Sequence, residues 1–315
     1  MDLADVKEII DCLPKGKTRF YYFKDRYALL LLSLIVDGET SKKSLRRSSF
    51  SNLLDKELVK EAIKRSRGSR LSAETFEGFW PSRYECYFLT LGIWGSKRGY
   101  WQQTSRPGYN LVLQLNFSSA HDEPYRKLID PEDERPFSFY SHPIARNSMH
   151  TLAWSRLDID LRRGEALIEE LQTDWIRDAL DARRRAIRAS DTIDFYGVEM
   201  QKDRVIRYVD SVLHRHQETW DEAMLSATIW FLRKELGVRT IFYHTYESGA
   251  RLKGISVRLP PRSVYSRLPK RFCFKPTDER PAFLPARARA SRANPRYDSA
   301  RFSLLDFEAS RLHSH

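Results

Sequence analysis

The sequence predicts an α+β protein, in which an N-terminal helical region precedes a mixed β-sheet flanked by helices. Three observations lead to this prediction. Apolar residues recur at helical spacing within the first 75 residues, whereas residues 110–119 and 149–175 alternate apolar and polar side chains as strands do. The order strand, charged helices, strand between residues 165 and 246 is typical of a crossover that returns to the same sheet.

Residues 1–75 are expected to form the helical region. An amphipathic segment ends before Pro14, an aromatic and then aliphatic segment runs from Thr18 to Gly38, and a third periodic segment follows. A helix, a glycine turn and a basic helix resemble a helix-turn-helix, and four cations there would suit phosphate contacts: Lys42, Lys43, Arg46 and Arg47. A helical packing module without such contacts explains the same pattern.

Residues 76–284 are expected to form the α/β core domain. Its first strands are predicted at Tyr84–Trp94 and Asn110–Ser119, and the polar loop Gln102–Gly108 between them could contact a ligand. Residues 119–148 contain four prolines and many charges, which predicts a long irregular connection.

The second half of this domain is expected to begin with a hairpin over residues 149–175. Charged helices follow, and Gly237 is well placed to end the last of them before the strand Val238–Tyr246. Residues 254–284 are rich in proline and arginine and are expected to wrap the surface. Residues 285–315 are predicted to be a basic, disordered tail.

The stretch EALIEELQTDW, Glu165–Trp175, is where a functional site is most expected. In a strand, alternate residues share a face. That rule places Leu167, Glu169 and Leu171 on one face, and Ile168, Glu170, Gln172 and Asp174 on the other. Burying a neutral polar group without a partner costs roughly 2–7 kcal/mol, and a charge costs more. The side chains on the polar face are therefore expected to form either a site or a paired network.

One function that this pattern predicts is a metal-dependent nuclease of the PD-(D/E)xK type. Such an enzyme needs an acid at the end of one strand of a hairpin, and an acid followed two residues later by Lys or Gln on the next strand. Asp158 or Asp160, together with Glu170 and Gln172, fits that spacing. The carboxylates Asp158, Asp160 and Glu170 would hold Mg²⁺ or Mn²⁺, which would activate water.

Other polar residues at strand ends are secondary candidates for catalysis. His121 stands beside Asp122 and Glu123, a group that could bind metal or shuttle protons, or could merely shape a turn before Pro124. The remaining candidates are Glu169, Asp174, His150, His244 and Glu247. His244 and Glu247 lie at the carboxyl end of the last predicted strand, where open α/β sheets tend to bind ligands.

Charge predicts the class of partner. Lys and Arg total 54 against 42 acids, which gives a net charge of +12 and favours nucleic acid, although a solvated surface explains the excess too. A second basic cluster is predicted after the central strand: Arg183, Arg184, Arg185 and Arg188. Three scattered cysteines suit a reducing, cytoplasmic setting. Neither a signal peptide nor a membrane span is expected, since the apolar run Tyr27–Val36 is too short.

Two alternatives to a nuclease remain open. A non-catalytic nucleic-acid-binding or regulatory protein would use the basic segments for phosphate contacts and the polar strand face as a structural network. A nucleotide-using transferase, for example an ADP-ribosyltransferase, would use Glu169 or Glu170 to stabilise an oxocarbenium-like centre. The sequence has neither a GxxxxGK[ST] nor a GxGxxG loop, and it lacks a G-x-S-x-G elbow.

Four short motifs occur in order: SSAHDEP, IEELQTDW, WDEAM and HTYE. Together, over roughly residues 117–250, they resemble a domain of very large polyvalent proteins of phages and mobile elements, whose central motif reads approximately I-E-E-[IL]-Q-[ST]-D-W. The resemblance implies a shared site and a mobile-element context, and it implies no particular reaction. In that domain the histidine of the first motif stands one residue away from the position of His121.

Overall fold

An eight-stranded mixed sheet with helices on both faces organises the chain in a computed structural model. The structure describes residues 1–13, 18–66, 70–96, 103–129, 132, 135–146, 149–253, 261–284 and 300–307. Across the sheet, the strands follow the order β1 (Thr18–Tyr22), β4 (Glu85–Ser96), β5 (Gly108–Phe117), β6 (Thr151–Asp160), β7 (Glu165–Gln172), β10 (Thr240–His244), β12 (Phe302–Asp306) and β11 (Lys275–Thr277). This architecture confirms the predicted fold class.

The first 77 residues are mainly helical, as predicted, but they also contribute a strand to the large sheet. The elements are α1 (Leu3–Ile10), β1 (Thr18–Tyr22), α2 (Arg26–Ile35), β2 (Glu39–Ser41), α3 (Lys42–Arg47), a 3-10 helix (Ser51–Asp55), α4 (Glu57–Arg65), β3 (Arg70–Ser72) and α5 (Ala73–Glu77). Strand β1 pairs antiparallel with β4, and β2 pairs with β3 in a separate ribbon. In β1, Phe20 and Tyr22 are buried and Tyr21 between them is not, so this short stretch follows strand alternation.

Four long antiparallel strands form the centre of the sheet: β4 (Glu85–Ser96), β5 (Gly108–Phe117), β6 (Thr151–Asp160) and β7 (Glu165–Gln172). They confirm the predicted strands and the predicted hairpin. The connection between β5 and β6 differs from the prediction, because Ser119–Leu128 forms helix α6. Pro124 lies inside this helix, which tolerates the loss of one backbone donor.

A long helical crossover joins β7 to β10 (Thr240–His244), which runs parallel to it. The crossover consists of α7 (Asp174–Arg188), the hairpin β8 (Thr192–Phe195) and β9 (Val198–Gln201), α8 (Lys202–Arg207), a π-helical segment (Tyr208–Leu213), α9 (His214–Trp230) and a second π-helical segment (Phe231–Glu235). Gly237 follows with a φ of 64°, a left-handed conformation that favours glycine. The predicted crossover and its glycine stop are therefore confirmed.

The last described elements complete the sheet edge beyond β10. They are α10 (Tyr246–Lys253), α11 (Arg262–Arg271), β11 (Lys275–Thr277) and β12 (Phe302–Asp306). Strand β12 lies between β10 and β11 and pairs antiparallel with both. The expectation of a disordered tail is wrong for residues 302–306, where Phe302 and Leu305 are buried. The rest of that predicted tail, residues 285–299 and 308–315, lies outside the described residues.

The two faces of the sheet have different hydrophobic cores. The larger core takes Ile168 and Leu171 from β7 and packs them with Trp175 and Ile176 of α7. The smaller core, on the other face, contains Leu167, Phe242, Leu252, Leu284 and Phe302. Helix α7, which follows β7, and helix α10, which follows β10, thus lie on opposite faces. Between such parallel strands, open α/β sheets have a crevice at the carboxyl ends. No helix among the described residues is long and apolar enough to cross a membrane.

Candidate functional site

A β-bulge in β7 determines how the central polar residues are arranged. Arg156 of β6 pairs with Glu170, but the next residue of β6, Leu157, pairs with Ile168, so Glu169 is the extra residue. Ile168 and Leu171 consequently both enter the larger core, and Glu169 and Glu170 both project toward the opposite side. The prediction that these two glutamates lie on different faces is wrong, because the bulge interrupts the alternation.

Glu169 is fully buried and is held by neighbours far away in sequence. The Ser105 amide donates to its Oε1 at 3.0 Å, and the Ser105 hydroxyl donates to its Oε2 at 2.7 Å. His244 Nε2 lies 3.2 Å from the same Oε2 and 2.8 Å from Ser105 Oγ. Because the hydroxyl proton of Ser105 goes to Glu169, Ser105 Oγ accepts from His244 Nε2. His244 is therefore not placed as a base that activates Ser105.

Glu170 and Lys253 complete this group of buried charges. Arg156 donates to Glu170 through Nε at 2.7 Å and through Nη2, and it also donates to the Gln103 carbonyl at 3.1 Å. Lys253 of α10 donates to the Glu169 carbonyl at 2.8 Å, just beyond the point where β7 and β10 stop pairing. We call this set the Glu169 network: Ser105, Arg156, Glu169, Glu170, His244 and Lys253.

The pKa values within the Glu169 network follow from burial and pairing. Burial by itself would raise the pKa of Glu169, but the hydrogen bond and charge of His244, with the charge of Lys253, lower it to about 2. The pKa of Glu170 is lowered against burial by the charges of Arg156 and Lys253. Burial lowers the pKa of His244 and that of Lys253. The two carboxylates thus lie beside the basic side chains of Arg156 and Lys253, and groups of opposite charge are buried together.

The other predicted acids lie in separate ion pairs. Asp158 accepts from Arg106 Nε at 2.6 Å and from its Nη2 at 2.8 Å, while Asp160 accepts from Arg163 at 2.7 Å. Asp174 accepts from Gln172 at 3.1 Å. Asp174 also lies 2.5 Å from His142 Nδ1 and 2.6 Å from Arg177 Nη2. The predicted metal ligands Asp158, Asp160 and Glu170 each pair with a different arginine and are not brought together, so they do not suit a shared Mg²⁺ or Mn²⁺ site.

Three residues outside the hairpin do gather their ligand atoms. Within the described part of the chain, only His121, Asp122 and His150 place three potential metal-ligating atoms within 4.8 Å of one another. We call them the His121 cluster. His121 and Asp122 lie in the first turn of α6, and His150 immediately precedes β6. A cavity of about 270 Å³ adjoins His121 and is also lined by Phe117, Ser118 and His216.

The remaining candidates are at the surface or in the network. His244 belongs to the Glu169 network, whereas Glu247 is exposed and pairs with Arg262 at 3.1 Å. Sequence reasoning did not identify Arg106, Arg156 and Lys253 as partners of the acids. The sequence feature that pointed to these contacts was the polar loop before β5. This loop supplies Ser105 and Arg106, which bind Glu169 and Asp158 of the sheet.

The two predicted basic clusters differ in their ion pairs. On α7, Arg183 pairs with Asp210 at 2.7 Å, and Arg184 and Arg185 share Asp181 at 2.9 and 3.0 Å. Arg188, at the end of the helix, is exposed. On α3, all four cations are exposed, and the ion pair found there joins Arg46 to Asp55 at 3.1 Å.

Comparisons with known proteins provide no identity. No model of a protein family matches the sequence, and neither a curated protein nor a solved structure matches it significantly. The resemblance to the polyvalent-protein domain therefore stays a prediction.

Proposed function

We propose that this protein binds nucleic acid through helix α3 and acts as a binding or regulatory protein. The observation that carries the proposal is the contrast between its two basic helices. On α7, Arg183, Arg184 and Arg185 pair with acids of the protein itself. On α3, the ion pair found joins Arg46 to Asp55, and the other three cations, Lys42, Lys43 and Arg47, are exposed. Phosphate contacts supply most of the non-specific affinity of proteins for nucleic acid. The net charge of +12 supports the same class of partner.

The construction of α3 supports this role. Ser41 caps the helix by accepting from the Ser44 amide at 3.0 Å, and Leu45 is fully buried beneath it. The cations at positions 42 and 46, and those at 43 and 47, are four residues apart and therefore neighbours on the helix surface. Like charges at this spacing destabilise a helix by roughly 0.2–0.5 kcal/mol per pair. A bound phosphate would relieve that repulsion.

The contacts of the Glu169 network support the binding proposal over catalysis by the predicted residues of the β6–β7 hairpin. Its acids are buried and engaged, and they connect the loop carrying Ser105 to the ends of β6, β7 and β10. A nuclease at this position would need Asp158 and Glu170 free of their arginines. An ADP-ribosyltransferase would need Glu169 or Glu170 to reach a substrate, which would require displacing Ser105 or Arg156.

The proposal is tested with two variants that each remove three positive charges. One is Lys42→Gln/Lys43→Gln/Arg47→Gln and the other is Arg183→Gln/Arg184→Gln/Arg185→Gln. Binding to a fluorescein-labelled DNA duplex, and in parallel to an RNA hairpin, is measured by anisotropy between about 50 and about 200 mM salt. The α3 variant is expected to lose at least about tenfold in affinity and to lower the salt slope by about 2–3, roughly one per lost contact.

The α7 variant is the matched control, and its affinity is expected to stay close to that of the wild type. Equal weakening by both variants would mean that net charge alone drives binding, and the proposal would fail. It would also fail if wild-type protein bound neither probe at low salt. Gel analysis of the probes after incubation with Mg²⁺ or Mn²⁺ distinguishes binding from cleavage.

A further inference from the structure

We propose that His121, Asp122 and His150 bind a divalent transition-metal ion of the zinc class. The proposal is independent of nucleic-acid binding, because it uses none of the residues of α3. It also differs from the carboxylate site predicted in the β6–β7 hairpin, in both position and ligand type.

The ligand atoms are close to the separations that such an ion requires. His150 Nδ1 lies 3.3 Å from Asp122 Oδ1, and His121 Nδ1 lies 4.0 Å from it. Zinc bonds of about 2.0–2.2 Å in tetrahedral geometry place neighbouring ligand atoms about 3.3–3.5 Å apart. The His150–Asp122 separation already matches. His121 would need to move closer, because its Nδ1 lies 4.0 Å from Asp122 Oδ1 and the three ligand atoms lie within 4.8 Å of one another.

The far nitrogen of His121 is oriented by the protein. His121 Nε2 lies 2.8 Å from the Tyr208 hydroxyl, which also accepts from Trp175 Nε1 at 2.7 Å. A metal on Nδ1 would place the ring proton on Nε2, where it can donate to the second lone pair of the Tyr208 oxygen. Metal-bound histidines are commonly fixed in this way by a hydrogen bond from their other nitrogen.

The state of His121 Nδ1 also points to a ligand, independently of the separations between the ligand atoms. The side chain of His121 is 3% exposed, and its Nδ1 has no hydrogen-bond partner. The nearby Asp122 oxygen, 4.0 Å away, is too distant for a hydrogen bond. Buried polar atoms almost always have a partner, so this nitrogen lies where a ligand is expected.

The donor set selects the kind of ion. Two imidazole nitrogens and one carboxylate oxygen suit zinc and its transition-metal neighbours, whereas calcium and magnesium prefer all-oxygen sites. Three protein ligands leave a fourth tetrahedral position for water or another ligand. The Asp122 side chain is 28% exposed, so an ion from solvent would enter the cluster past Asp122.

The test uses the full chain treated with a chelator and then titrated with Zn²⁺ by calorimetry. Co²⁺ is titrated in parallel, because its visible absorption reports coordination geometry. One ion per chain is expected, and Asp122→Asn and His150→Gln are each expected to weaken Zn²⁺ binding at least about tenfold, the usual minimum for loss of a supporting group at a metal site. His214→Ala is the matched control, because His214 lies in an exposed pair with Glu218 at 3.6 Å.

Two results would overturn the proposal. One is the absence of stoichiometric Zn²⁺ binding by wild-type protein. The other is Zn²⁺ binding by Asp122→Asn that is as tight as in the wild type. Asp122 is the most exposed of the three ligands, so its variant decides the question even where His150→Gln fails to fold. Retained binding by His214→Ala is required for any loss to be attributed to the cluster.

Discussion

The Glu169 network and the His121 cluster are both buried and polar, and each contains a ring nitrogen without a hydrogen-bond partner, His244 Nδ1 and His121 Nδ1, but they differ in how their carboxylates are paired. Each carboxylate of the network has at least one charged or hydrogen-bonding partner. In the His121 cluster, the partly exposed Asp122 carboxylate lies 4.0 Å from His121 Nδ1, which is too far for a hydrogen bond. A buried polar group without a partner is costly, whereas a paired one contributes to a rigid structure. Among the described residues, only the cluster gathers three potential ligand atoms within 4.8 Å of one another. We therefore interpret the network as a structural support and the cluster as the place for a ligand.

The largest expected effect comes from breaking a pair inside the Glu169 network. Arg156→Met leaves the buried Glu170 carboxylate without its hydrogen-bonding partner, and removal of one partner of such a pair typically costs about 3–5 kcal/mol. We expect a loss of that size in the free energy of unfolding measured with urea. The matched control is Arg183→Gln, which removes an arginine that contacts both oxygens of Asp210 at the surface. An exposed pair of this kind contributes about 0.2–1 kcal/mol.

The second variant in that experiment is Arg156→Met/Glu170→Leu, which removes both charges. It should recover most of the stability that Arg156→Met loses, since the penalty comes from the charge left behind. A loss by Arg156→Met no greater than that by Arg183→Gln would show that water reaches Glu170. In that case the network would not be a rigid support, and the contrast with the His121 cluster would disappear.

A smaller loss in the free energy of unfolding is expected at acid pH. The folded-state pKa of Glu169 is about 2, below its ordinary value of 4.5, so the stability that its ionised form provides is present above about pH 4.5. That stability, of the order of a few kcal/mol, is lost as pH falls from about 4.5 toward 2. Glu169→Gln should be less stable than wild type at neutral pH and should show a flatter pH dependence in this window. Parallel slopes for the two proteins in thermal unfolding would contradict the assignment.

The smallest effect concerns the His121 cluster without metal. Asp122 is partly exposed, so Asp122→Asn in the presence of a chelator should change the free energy of unfolding by less than about 1 kcal/mol. Circular dichroism during urea unfolding measures this change. A loss comparable to that of Arg156→Met would show that Asp122 is a structural partner of the two histidines. The His121 cluster would then be a structural support like the Glu169 network.

Much of the architecture is encoded in local patterns. The alternation in β5, the hairpin of β6 and β7, and the glycine stop before β10 were all predictable, because each depends on residues adjacent in sequence. The bulge at Glu169 was not predictable, since it is defined by its pairing with another strand. Residues 119–128 were predicted as a loop from their proline and charge, but packing of His121 and Tyr125 against the core favours a helix.

The candidate sites were only partly predictable, for the same reason. The sequence spacing of the acids predicted a site in the hairpin. It could not show that Arg106 and Arg156 would pair with those acids. His121 and His150 are separated by 29 positions, and only the fold places both beside Asp122. Sequence can therefore suggest which residues carry chemistry, while their pairing depends on contacts distant along the chain.

The position of β12 has a consequence for the synthesis of the protein. It lies between β10 and β11, both of which leave the ribosome earlier. Until residues 302–306 have been translated, β10 presents an open edge and β11 lacks the strand with which it pairs. An unpaired strand edge can pair with other chains, so the nascent protein is exposed to misassembly until β12 is inserted. Shielding of this edge by a chaperone would therefore increase the yield of folded protein most during late translation.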